Sequence, residues 1–247
     1  MSVEPVVFYI MLAFVAFLIG LAKGGFGGML GSLATPLLAL VMPADQVIGL
    51  VLPILMVADV FAVIMHWRRW NGRLIVLLLP GAILGVTIGT LFITNSPTEM
   101  LRLALGIIVL IFAVYKIFEK RVMKNLSYSP KNWHGVLAGT VTGFSSALAH
   151  TGAPPVSIYL LFQQVAPQTY IGTSVLFFFI LNWIKVPYYF YADLFDADRI
   201  QTIIWVLPLV LGGAFFGRWL SDRFRKETFE MVIVAFLIVA ALMLIFT

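Results

Sequence analysis

Stretches that carry at most two charges recur along this chain at lengths matched to a lipid bilayer. Gln46 to Met65, Leu74 to Ile93, Met100 to Phe118, Thr169 to Tyr191, Ile200 to Leu220 and Phe229 to Phe246 are of this kind. At 1.5 Å rise per residue each nears or exceeds the hydrocarbon core of about 30 Å. Lipid offers no water to backbone N–H and C=O groups, so such runs must pair them internally, as helices do. The remaining composition agrees: of 247 residues, 62% are hydrophobic and only 11% charged, which no ordinary soluble domain matches. This predicts an all-α polytopic membrane protein of one transmembrane domain, residues 1–247, with no soluble appendage. The N-terminus lacks a basic n-region and cleavage site, so the first apolar run is expected to be retained.

Two stretches break the pattern. Gly20 to Pro36 reads GLAKGGFGGMLGSLATP, and Gly139 to Pro155 reads GTVTGFSSALAHTGAPP. Each interior glycine costs a helix roughly 0.5–1 kcal/mol. A lysine in hydrocarbon costs about 2.5–3.5 kcal/mol. Such segments are tolerated where broken backbone lines a cavity. The apolar runs around them are short: Val6 to Leu21 and Met29 to Val41, then Trp133 to Ala149 and Pro154 to Val165. The two pairs, 6–41 and 133–165, are expected to be discontinuous or re-entrant and to meet near the midplane.

The halves overlay in order. Ala34-Thr35-Pro36 matches Ala153-Pro154-Pro155, and Ile48-Gly49 matches Ile171-Gly172. Leu79-Pro80, Gly85 and Gly89 match Leu207-Pro208, Gly213 and Gly217. This predicts a repeat over about 1–120, a linker at about 119–131 and a second repeat over about 132–247. Each repeat holds a short interrupted helix pair followed by three full transmembrane helices. The net charge of +5 reports orientation rather than nucleic-acid binding. Loops 66–73, 119–131 and 218–226 hold most of the Lys and Arg, so they are expected in the cytoplasm. That makes the repeats inverted in topology and both termini external.

Inverted repeats with interrupted segments in matching positions point to a transporter whose site lies where the interruptions meet. Broken helices leave N–H groups and positive dipole ends that bind anions. The candidate substrate-binding residues are Lys23, Gly24, Gly25, Gly27, Gly28, Thr35 and Pro36 at the first break. At the second they are Thr142, Gly143, Ser145, Ser146, His150, Thr151, Gly152 and Pro154, joined by Asn182 and Lys185. The competing reading is close helix packing through small residues, favoured for Gly81, Gly85 and Gly89. Lys185, three residues after Asn182 and on its helical face, either binds an anion or snorkels outward. Asp59 aligns with Asn182; it either pairs with Lys23 or Lys185 or relays protons. With His150 it is the candidate for coupling. A lone histidine is more often a hydrogen-bonded structural residue. Trp183, Tyr188, Tyr189, Phe190 and Tyr191 read as an interfacial belt. No cofactor is expected. There are no cysteines, and the three histidines make no zinc pattern.

These motifs carry a resemblance. GLAKGGFGG…ATPLLAL and TGFSSALAHTGAPPVSIYLL…IGTSVLFFFILNWIKVPYY resemble the sulfite exporter TauE/SafE family of bacterial permeases over nearly the whole chain. Carried over by position, its signature residues are Lys23, Gly24, Gly27, Thr35 and Pro36, then Gly143, Gly152, Pro154, Pro155, Gly172, Thr173, Asn182 and Lys185. Ala153 departs from a position where glycine is common. The resemblance implies a bacterial inner-membrane permease that exports sulfite, organosulfonates such as sulfoacetate, or related oxyanions by alternating access. The alternatives are an uptake permease coupled to protons or sodium, and an intramembrane enzyme. The enzyme would need a nucleophile with its base or a metal cluster, and neither spacing is present. A small anion and the bilayer are the expected partners, with a homodimer as the candidate assembly and no nucleic acid.

Overall fold

The computed structural model describes residues 5–26, 31–125, 130–195, 197–221, 223 and 226–246. It is all-helical among those residues. In the first half, α1 spans Pro5–Leu21 and runs on through a π-helical turn, Ala22–Phe26. Then come α2 (Ala34–Ala39), α3 (Ala44–Met65), α4 (Gly72–Asn95) and α5 (Thr98–Asn125). The second half repeats the order: α6 (Asn132–Ala149), α7 (Ala153–Phe162), α8 (Pro167–Tyr191), α9 (Ala197–Ser221) and α10 (Lys226–Phe246).

Local chemistry sets the ends. Asn71 caps α4, its side chain accepting from the N–H groups of Arg73 at 3.1 Å and Leu74 at 3.4 Å. Pro167 opens α8, where its missing N–H costs nothing. Pro53, Pro80, Pro187 and Pro208 lie inside α3, α4, α8 and α9, as transmembrane helices tolerate.

Among the described residues, six helices are long and apolar enough to cross a membrane: Val6–Gly24, Ala44–Met65, Gly72–Asn95, Thr98–Glu119, Pro167–Tyr191 and Gln201–Leu220. The first is a correction. Val6 to Leu21 alone is short for a span, but the π turn carries the helix past Leu21 and brings the apolar stretch to 19 residues. In α10 the apolar stretch found is the shorter Met231–Phe246. Of the loops assigned to the cytoplasm, residues 126–129, 222, 224 and 225 lie outside the described residues.

The glycines show how the halves join. A Cβ on Gly20 or Gly24 of α1 would collide with the backbone of Val210 or Ala214 in α9. A Cβ on Gly213 or Gly217 of α9 would collide with Phe17 or Leu21 in α1. The same crossing recurs between α6 and α4: Gly139 and Gly143 lie on Leu78 and Ala82, while Gly81 and Gly85 lie on Val136 and Thr140. Both pairs run parallel, backbone on backbone, as helices pack where no hydrophobic force acts between them. By place in their crossings, Gly81 and Gly85 of α4 therefore correspond to Gly213 and Gly217 of α9, although the two helices pack on different partners. That is one helical turn away from the register suggested by the two Leu-Pro pairs, because glycine at the crossing, not proline in the helix, fixes the contact.

At the centre α3 packs against α8. Gly49 lies on Leu194 beyond the end of α8, and Gly172 lies on Arg69 beyond the end of α3, so these helices run antiparallel. α5 packs along α10, where Gly106 admits Ala241, Leu244 and Ile245.

Candidate functional site

Three polar clusters sit where the breaks face α3 and α8. The first is built on Asp59, in mid-α3 and fully buried. The π turn after α1 brings Lys23 Nζ to 2.5 Å from Asp59 Oδ1. From α8, Asn182 Nδ2 donates to Oδ2 at 2.6 Å. Of the two lysine partners open to Asp59 on sequence grounds, the fold selects Lys23.

The second cluster is built on Lys185, one turn after Asn182 and 0% exposed. Its ammonium donates to the carbonyl of Ser146 at 3.3 Å and to the Ser146 hydroxyl at 3.1 Å. Burial and these bonds rule out the snorkelling alternative. Among the described residues no carboxylate lies within ion-pair distance of it. The Tyr189 ring lies 5.9 Å from the ammonium, within cation–π range. Tyr189 is itself fully buried and donates to the Ala147 carbonyl at 2.7 Å. It therefore leaves the interfacial belt, while Trp183, Phe190 and Tyr191 stay exposed. Its place was readable as the i+4 position from Lys185; the aromatic run around it hid that signal.

The third cluster ties the two breaks together. Thr35, near the start of α2, meets His150 Nδ1 at 3.3 Å. His150 caps α6 in the left-handed region, with φ 55°. Such a conformation costs a side-chain-bearing residue about 1–2 kcal/mol, and histidine bears it better than most. Beside it, three buried atoms have no hydrogen-bond partner among the described residues: His150 Nε2, Thr151 Oγ1 and Thr142 Oγ1. Thr142 and Ser146 stand one turn apart on α6, and the chain folds back over them at Gly152, whose Cβ would touch both.

The other candidates are placed as follows. Gly24 and Gly143 are filled by the backbones of Ala214 and Ala82, so their small size serves helix contact. Gly25 lies in the π turn; Gly27 and Gly28 lie outside the described residues. The Ser145 hydroxyl donates to its own helix, to Val141 O at 2.8 Å and Thr142 O at 3.3 Å, and so is occupied. Pro36 is the third residue of α2; Pro154 and Pro155 are the second and third of α7. Proline has no N–H, so α7 keeps at most two of its four unpaired N-terminal donors, those of Gly152 and Ala153. Side chains thus supply more of the donors here than bare helix ends do.

The arrangement gathers hydroxyls, an imidazole and two ammonium groups around a single carboxylate in a buried setting. Among the described residues no group of His, Cys, Asp and Glu could hold a metal ion. Neither a search of curated proteins nor one of solved structures gives a match. The model of the family described as Sulfite exporter TauE/SafE does match, over residues 12–244. With nearly the whole chain inside that match, this multi-pass membrane protein belongs to the sulfite exporter TauE/SafE family.

Proposed function

We propose that the protein is a secondary transporter that exports a small sulfur oxyanion or organosulfonate by alternating access. The observation that carries this is Lys185: fully buried, yet bonded among the described residues only to neutral acceptors of Ser146. An isolated buried cation costs several kcal/mol and is retained where a counter-charge arrives. The unpartnered Thr142, His150 and Thr151 atoms would solvate the oxygens of that counter-charge. Membership of a family described as sulfite exporters supplies the cargo class.

The proposal includes two inverted repeats, termini outside and loops 66–73, 119–131 and 218–226 in the cytoplasm of a bacterial inner membrane. The inverted repeats are supported by the antiparallel run of α3 against α8 and by the recurring glycine crossings, and the orientation by the Lys and Arg content of those loops. Direction follows from energetics. An inside-negative potential favours anion exit by about 2.3 kcal/mol per charge per 100 mV. The test is flux of sulfite and organosulfonates from proteoliposomes under an imposed potential. An inside-negative potential should speed exit, and Lys185→Gln should abolish it. Transport of a cation, or flux indifferent to Lys185→Gln, would sink the reading.

A further inference from the structure

The charges in the core do not balance. Lys23 and Asp59 cancel one another at 2.5 Å. Asn182 satisfies the second carboxylate oxygen with a neutral donor at 2.6 Å. Lys185 is left facing the Ser146 oxygens and the Tyr189 ring, all uncharged. With Lys185 as the ammonium, these groups together hold an excess of one positive charge. A net charge buried at low dielectric is costly, and a ligand that cancels it relieves that cost. A singly charged anion cancels it. A doubly charged one turns an excess of +1 into an excess of −1 and gains no such relief. The hydroxyls of Thr142 and Thr151, buried without partners among the described residues, add donors for oxygens but no charge.

We propose that the site selects by valence: it takes oxoanions bearing one negative charge, such as an organosulfonate or the hydrogensulfite form, in preference to dianions. Asp59 sets this valence by neutralising Lys23. The proposal rests on reading the site as that of an anion carrier. Asp59 is a specificity-determining residue, acting through Lys23 rather than on the substrate.

The test uses the full chain in liposomes at equal pH on both sides, with methanesulfonate as the monoanion and sulfate as the dianion. Methanesulfonate should move faster by about tenfold or more, the discrimination that about 1.4 kcal/mol provides. Asp59→Asn, which leaves an excess of two positive charges, should shift the preference toward sulfate by about tenfold. Adding Lys23→Gln restores an excess of one and should restore the preference, whatever rate remains. Equal wild-type rates, or a ratio unmoved by Asp59→Asn, overturns the valence assignment while leaving the carrier reading intact. If neither anion moves through monodisperse protein, the carrier reading fails and this inference falls with it. Should Asp59→Asn not fold, the wild-type rate ratio and the double variant decide.

Discussion

Asn182 donates to Asp59 at 2.6 Å, and the two residues hold corresponding places in the two halves of the chain. Their 123-residue separation is also that between Gly49 and Gly172. Each of those glycines packs on the loop beyond the other's helix. The contact is thus near the midpoint of an antiparallel pair, α3 with α8. Equivalence stops at chemistry. One half supplies a carboxylate and the other a carboxamide, which gives the centre a single negative charge instead of two repelling ones.

The ion pair at this midpoint should be strongly coupled. Lys23→Met leaves a fully buried carboxylate with only Asn182, and should destabilise by about 3–5 kcal/mol. Lys23→Met with Asp59→Leu removes both charges and should recover most of that loss. Thermal unfolding in detergent measures the cycle; simple additivity of the two substitutions would contradict the coupling.

Neighbouring glycines in α9 should respond in opposite ways. Gly213 lies on the backbone of Phe17 and Leu21, whereas a Cβ on Gly212 meets nothing within 4 Å. Gly212→Ala should be neutral or gain up to about 1 kcal/mol of helix propensity. Gly213→Ala forces α1 and α9 apart and should lower the melting temperature clearly. Equal shifts for the two would refute the close crossing.

The left-handed cap of α6 makes His150 sensitive to side-chain shape. His150→Val places a β-branched residue at φ 55° and should cost about 1–3 kcal/mol. His150→Asn, which tolerates that conformation, should cost less. Unfolding midpoints rank the two variants, and the reverse order would contradict the backbone geometry.

A chain without cysteine allows orientation to be read directly. Lys131→Cys, at the exposed start of α6, should react with an impermeant thiol reagent only from the cytoplasmic side. Glu99→Cys, in the exposed first turn of α5, should react from outside. Labelling of Lys131→Cys in intact cells would overturn the proposed topology.

Much of the architecture was legible in the sequence. Helix order follows from run length, because lipid forces every backbone group to pair within its own segment. The glycine spacing marked surfaces of close approach, and the equivalence of Asp59 and Asn182 followed from aligning Gly49 with Gly172. What periodicity conveys is which face of a helix a residue occupies, not which residue of another helix it meets. The tertiary structure alone decided that Lys23 rather than Lys185 takes Asp59, because a π turn re-aims the chain after Leu21. It decided that Lys185 ends on the Ser146 carbonyl, an acceptor every residue carries and no sequence advertises. It also placed the α4–α6 and α1–α9 crossings in a correspondence one turn from that of the Leu-Pro pairs in α4 and α9, since a side chain at the crossing costs more than a misplaced proline. In a medium that screens little, a buried charge takes the partner that geometry brings within reach, and that choice is made between helices far apart in the chain.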